Sequence, residues 1–355
     1  MVTLYVGSSE TFAGKSLICM ALGSYLKQMG KRIAYIKPIA VLPTRAQGLT
    51  VDEDVTFIRE ALQLDDPLEA MSPIVITPEL IDRIFAGQTE DYPAQILAAF
   101  ERVARDKDVV LVGGVGSVVS TGLFMGLPAS RVADLLGAKV LVVGRALSER
   151  CVDWILSARE LVGDRLIGMI LNQVPWGELD HVTRVVIPYL ATQGIEVFGA
   201  IPRDEVLQAT TVAELAEVLS AQMLCCPGHE QELVEHFSVG AMNVESALRY
   251  FRRTPNKAVI TGGDRADIQL AALETSTKCI IATGDLHPNA IILARAEERG
   301  IPILLTRDDT LAAVERIESF LGRQRVRSPK KITRALDLLR SHVALDRLLA
   351  AAGIA

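Results

Sequence analysis

The sequence predicts an α/β protein: a parallel sheet with helices on both faces, organised around a phosphate-binding loop and followed by a second, smaller α/β unit. Three observations predict it. Apolar runs of strand length alternate with runs of helix length along most of the chain. The first strand-to-helix turn carries Gly14-Lys15-Ser16. The alternation then restarts after Thr211 with its own strands and glycine turns.

The first strand is Val2-Thr3-Leu4-Tyr5-Val6, and a helical run extends from Leu17 to Met29. Between them stands Gly7-Ser8-Ser9-Glu10-Thr11-Phe12-Ala13-Gly14-Lys15-Ser16, the strand–loop–helix context that a phosphate loop requires. Gly14 lets the backbone pass close to a phosphate, and the following helix offers unpaired N–H groups and the positive end of its dipole. Lys15 is a candidate point charge for the outer phosphates, and the Ser16 hydroxyl a candidate Mg²⁺ ligand. The standard spacing has a glycine where Ser9 stands.

The second strand, Arg32 to Ile36, runs into Lys37-Pro38-Ile39. A lysine at the carboxyl end of a parallel strand stands on the ligand-binding edge of an open sheet, or is simply solvated there. Thr50 to Asp54 opens a helix that runs through Leu62; its acids favour the positive dipole end, and Asp54 is also a candidate metal ligand. Pro73–Pro78 reads as strand or loop and Pro93–Arg105 as a helix. Asp108 to Val112 is a central strand ending in Gly113-Gly114-Val115-Gly116, so glycine occupies the place where phosphate-loop proteins usually carry an acid. Ser130–Leu136 is helical, Lys139–Gly144 and Leu166–Gln173 are strands, and Val197–Pro202 closes the set. Asn172 offers a paired donor and acceptor to a purine edge, or caps a turn.

Beyond a capping box at Thr211–Glu214, strands are expected at Val239–Met242, Ala258–Thr261, Lys278–Thr283 and Pro302–Leu305. Helices are expected at Val244–Phe251, Ile268–Leu273, Asn289–Glu298 and Thr310–Leu321. Arg323, Arg325, Arg327, Lys330 and Lys331 form a basic hinge before one last helix, Ile332–Leu349. The domains are therefore drawn at 1–208, 209–325 and 326–355.

Composition bounds the function. Half of the residues are hydrophobic but only 5% are aromatic, which suits Val, Ile, Leu and Ala in buried parallel strands. A net charge of −6 argues against a general nucleic-acid binder. Cys19, Cys151, Cys225, Cys226 and Cys279 form no CxxC pair, which fits reduced thiols in a cytoplasmic protein. The uncharged run Val109–Ser130 is long enough to span a bilayer, but its five glycines and a proline favour a strand and a loop. No signal peptide or membrane partner is expected.

The chain resembles two known domains. Residues 1 to about 208 are similar to the dethiobiotin-synthetase-like ATPase domain, through Glu10-Thr11-x-x-Gly14-Lys15-Ser16, Lys37-Pro38-Ile39, Val112 to Gly116, the Asn172 strand and Gly199-x-Ile201-Pro202. Residues 209 to about 320 resemble the DRTGG domain, through Asp264-Arg265-Ala266-Asp267, Thr283-Gly284-Asp285 and Asp309-Thr310. This order resembles the amino-terminal, non-catalytic region of bacterial phosphate acetyltransferases.

The resemblance implies an ATP site built from Glu10, Thr11, Gly14, Lys15, Ser16, Asn172 and Pro202, with Lys37 as an anion contact and Ser16 and Asp54 as Mg²⁺ ligands. It implies a nucleotide-binding regulatory protein related to acetyl-phosphate metabolism, homo-oligomeric and without acetyltransferase activity of its own. The alternatives are an ATP-dependent carboxylate-activating ligase, with Lys15 and Lys37 steadying phosphoryl transfer, and a scaffold with a degenerate loop. Three departures stand out: Gly113 replaces a metal-binding glutamate, Ala266 replaces Thr and Asp285 replaces Gly. With glycine at 113, Asp52 or Asp54 must hold the metal alone, so Mg²⁺ is expected to contribute little to nucleotide affinity and hydrolysis to be very slow or absent.

Overall fold

The computed structural model describes residues 1–11, 13–88, 90–119, 121–145, 149–321 and 329–354. These fall into two compact units, Met1–Arg203 with Pro329–Ala355, and Asp204–Ser328.

The first unit is built on six parallel strands: β1 (Val2–Ser8), β2 (Ile33–Ile36), β3 (Val109–Gly113), β4 (Lys139–Arg145), β5 (Leu166–Val174) and β6 (Val197–Pro202). Their order is β6-β5-β4-β1-β3-β2. β1 pairs with β3 in the register Leu4↔Leu111 and with β4 in the register Val6↔Leu141. All five residues of β3 and four of four in β2 are buried, because helices cover both faces of the sheet. After β1 the chain enters α1 (Lys15–Gln28), crosses to β2, and returns through α2 (Glu53–Ala61) and later helices to β3. The loop after β1 therefore opens where the strand order turns back, the place where open α/β sheets bind ligands.

The second unit holds β7 (Thr210–Thr211), β8 (Gln222–Met223), β9 (Leu233–Val234), β10 (His236–Val239), β11 (Lys257–Gly262), β12 (Thr277–Thr283) and β13 (Ile303–Leu305). Five of these make a sheet ordered β8-β13-β12-β11-β10, parallel except for β8, while β7 and β9 form a separate antiparallel pair. Its strands alternate between two cores. Val259, Ile280 and Ile303 face one, with Phe251; Ala258, Ile281 and Leu304 face the other, with Leu215. The edge strand lies earlier than the apolar run Val239–Met242 suggests. His236 pairs with Lys257 and Val239 with Ile260, and the chain then leaves the sheet so that Asn243 can cap the next helix.

The basic segment is also shorter than its sequence suggests. Arg323, Arg325 and Arg327 lie outside the described residues, whereas Lys330 and Lys331 belong to α4 (Pro329–His342) and Lys331 is buried. The expected single terminal helix is two helices, α4 and α5 (Leu345–Ala352). The break has a cause: Val343 forms an antiparallel bridge to Gly199, and Ala344 N donates to Phe198 O at 2.8 Å. A Cβ on Gly199 would collide with His342 O. α4 packs on α1, where the Arg340 guanidinium stands 5.5 Å over the Tyr25 ring.

The run Val109–Ser130 holds β3, a glycine-rich loop and a short 3-10 turn at Leu123–Met125. Among the described residues no helix is long and apolar enough to cross a membrane. All five cysteines are buried, and none is in a disulfide.

Candidate functional site: a phosphate loop with a buried lysine–aspartate cluster

Gly14 caps α1 with φ +92°, a left-handed conformation that favours glycine. A second constraint acts there: a Cβ would collide with the Asn172 amide nitrogen. Asn172, buried near the end of β5, donates from Nδ2 to Ala13 O at 2.8 Å. Its donor therefore braces the loop. The other flank is held by Ser8 Oγ donating to Gly116 O and Ser117 Oγ donating to Ser9 O, both at 2.8 Å. The glycine turn after β3 thus shapes the phosphate loop after β1.

Behind the loop, four charged side chains and a hydroxyl meet. Lys37 Nζ donates to Asp52 Oδ1 at 2.8 Å and to Asp54 Oδ2 at 2.9 Å. Ser16 Oγ donates to the same Asp54 Oδ2 at 3.0 Å. Asp52 is fully committed: Oδ1 also accepts from Asp54 N, capping α2, and Oδ2 accepts from Leu42 N. Asp54 is thus the acid aligned with Ser16, while Asp52 anchors Lys37.

Burial disfavours the Lys37 ammonium, but Asp54 and Asp52 together outweigh it and hold its pKa above the ordinary value. Burial likewise opposes the Asp54 carboxylate; Lys37, Ser16 and Lys15 overcome it and hold its pKa low. Among the described residues Lys15 has no such direct partner. Burial, and then the Lys37 charge, lower its pKa, against weaker support from Asp54. The four charges sum to zero, and Lys15 is the cation whose charge is least satisfied.

The remaining expected contacts separate. Thr11 is exposed and Phe12 lies outside the described residues. Glu10 is buried and its Oε2 accepts from Arg145 Nη2 at 2.6 Å. Glu10 Oε1, Ser9 Oγ and Arg145 Nε are buried without hydrogen-bond partners. Pro202 ends the edge strand β6, paired with Val174.

Three contributors were not singled out from the sequence: Asp52 as the anchor of Lys37, Arg145 as the partner of Glu10, and Tyr35. Arg145 had a signal, a lone cation ending an apolar strand. Tyr35 had none, since it sits within a fully buried apolar strand. The glutamate that the resemblance places at 113 has no room here, because a Cβ on Gly113 would collide with the Tyr35 hydroxyl and lie 2.8 Å from its Cζ. Beside this point a narrow niche of about 10 Å³, room for roughly one water, is lined by Tyr5, Pro38, Ile39, Gly113, Thr121 and Leu127.

Comparison with known proteins agrees with this architecture. The model of the AAA domain family matches residues 2–211 and that of the DRTGG domain matches residues 214–320. A phosphate acetyltransferase from Synechocystis is 25% identical over 98% of this chain and 51% of its own length. The chain thus spans about half the length of the phosphate acetyltransferases it matches. An ATP-dependent dethiobiotin synthetase from Aromatoleum aromaticum is 30% identical over 48% of this chain and 77% of its own length. Among solved structures, the CBS and DRTGG domains of a Clostridium perfringens pyrophosphatase match 32% of this chain and 50% of that one, at 25% identity and a TM-score of 0.29. The chain belongs to the AAA domain family, as a dethiobiotin-synthetase-like, nucleotide-binding phosphate-loop domain followed by a DRTGG domain, the arrangement of the amino-terminal region of phosphate acetyltransferases.

Proposed function

We propose that this chain is an ATP-binding regulatory protein of acetyl-phosphate metabolism, with ATP held at the first unit. The observation that carries the reading is the convergence of Lys15, Ser16, Lys37 and Asp54 behind a loop whose shape is fixed by Gly14 and Asn172. A polyphosphate would lie on the N–H groups at the start of α1 and against the Lys15 ammonium. The unmet polar atoms of Ser9, Glu10 and Arg145 support a ligand at this edge, since leaving a buried polar group unpaired costs about 1–3 kcal/mol.

Mg²⁺ fits the oxygen donors present. Ser16 Oγ and Asp54 Oδ2 provide a hydroxyl and a carboxylate, and Mg²⁺ is commonly held by one or two carboxylates plus phosphates. When bound it would neutralise charge on the outer phosphates. Lys37 would keep Asp54 ionised for that role, and Asp52 would keep Lys37 in place. With Asp52 committed and Gly113 bare, Asp54 supplies the carboxylate alone, which supports a small contribution of Mg²⁺ to affinity.

The likeness of the first unit to an ATP-dependent dethiobiotin synthetase favours a second reading, an ATP-dependent ligase that activates a carboxylate. A homo-oligomer formed through the second unit fits its exposed Tyr250, Ile291 and Leu311. Calorimetric titration with ATP tests the first reading, which is wrong if wild type and Lys15→Ala bind alike or not at all. ADP release with a panel of carboxylic acids separates regulator from ligase, and light scattering reads the oligomer.

A further inference from the structure

We propose that the second unit carries a divalent-metal site formed by Glu205, Glu235 and His236. One ligand atom from each of these side chains lies within 4.8 Å of the other two. Chain pairing explains how residues thirty apart meet. Glu205 opens α3 (Glu205–Gln208), which runs directly into β7. β7 pairs antiparallel with β9 in the register Thr210↔Val234 and Thr211↔Leu233. Glu235 follows β9, and His236 begins β10. Antiparallel pairing thus brings the residues that precede β7 to those that follow β9.

The electrostatics and hydrogen bonding point the same way. Among the described residues neither Glu205 nor Glu235 forms an ion pair, and the side chains of Glu205 and His236 make no hydrogen bond. Glu235 is also held from outside the cluster. Its N donates to Asn256 O at 2.9 Å, and Asn256 Nδ2 donates to Glu235 Oε2 at 3.1 Å. Asn256 is itself braced, its N donating to Ser276 Oγ at 3.1 Å. An outer partner that fixes a ligating carboxylate is the usual support of a metal site.

The donor set selects the ion. One imidazole nitrogen with two carboxylate oxygens suits Zn²⁺, Co²⁺ or Mn²⁺, whereas Mg²⁺ prefers oxygen alone. Reaching bonds of about 2.0–2.2 Å requires the ligand atoms to close further, and Glu205 is the exposed member of the three. The three ligands belong to the second unit, whereas Ser16 and Asp54 belong to the first, and all five cysteines are buried.

The test uses the full chain, treated with chelator and free of nucleotide, titrated with Zn²⁺ in a calorimeter. One equivalent should bind and raise the unfolding temperature. His236→Ala and Glu205→Gln should each abolish that equivalent, and Asn256→Ala should weaken it about 10–100-fold. Ser16→Ala should leave it unchanged. Circular dichroism confirms that each variant folds. The proposal is overturned if wild type takes up no Zn²⁺ at micromolar concentration, or if stoichiometry and affinity are the same in His236→Ala and Glu205→Gln.

Discussion

The hydroxyl of Tyr35 fills the space that a Cβ on Gly113 would need. The missing acid at the end of β3 is therefore a matter of packing as well as of sequence. Gly113→Ala should destabilise the protein by about 1–3 kcal/mol, the usual cost of overpacking a filled core. Because Tyr35 is the obstacle, the two positions should couple: in the Tyr35→Ala background the cost of Gly113→Ala should shrink. Denaturant unfolding of the four proteins of that cycle decides it, and strictly additive costs would contradict the geometry.

Lys15→Ala should weaken ATP binding roughly 10–100-fold, the equivalent of about 1.5–3 kcal/mol for a hydrogen bond to a charged group. Titration calorimetry of the two proteins measures it, with unfolding curves to show that the variant is intact.

Lys15 should also take up a proton when a polyphosphate binds. Burial and the neighbouring Lys37 charge lower its pKa from 10.5 in the free protein, and phosphate charge would raise it again. Between the lowered value and 10.5, binding heats should therefore differ between buffers of different ionisation enthalpy. Equal heats across that range would show that no phosphate approaches Lys15. Lys15→Arg, charged throughout, should bind without the buffer dependence.

The Lys37–Asp54 contact sets two limits on stability. The Asp54 pKa is held below 3.8, so its contribution is present above that value and is lost as pH falls through the lowered one. The Lys37 pKa is held above 10.5, so its contribution is present below that value and is lost as pH rises through the raised one. Lys37→Met removes the cation from buried Asp52 and half-buried Asp54 and should cost about 3–5 kcal/mol. It should also move acid unfolding to higher pH, because Asp54 loses its main charged partner. An unchanged acid midpoint in a pH titration of ellipticity would argue against this account.

Much of this molecule could be read from its sequence, and particular residues show where reading stopped. Gly14, Lys15 and Ser16 were legible because a strand and a helix flank them at the spacing a phosphate loop needs. Lys37 and Asp54 were legible as separate candidates, but their shared hydrogen bond is a tertiary fact between elements seventeen residues apart. Tyr35 was hidden inside an apolar run whose pattern signals only burial. The strand at His236–Val239 was hidden for the opposite reason: it sits at a sheet edge, so its polar residues obscure the pattern. The break at Val343 was invisible locally, since nothing in that run opposes a helix; Gly199 and Phe198 impose it from β6.

The return of residues 329–354 to α1 and β6 makes residues 204–328 a cassette inserted within the first unit. A stop codon placed after Arg203 would remove the DRTGG segment, but it would also strip the helix that covers α1 and expose Gly199 and Tyr25. Loss of nucleotide binding in such a truncation would report a damaged fold, not communication between the units. Genetic dissection therefore has to excise 204–328 internally and rejoin the flanks with a flexible linker. The same wiring orders events on the ribosome: α4 and α5 leave the exit tunnel after the cassette, so the cassette can fold before the surface that completes the phosphate-loop domain has been made.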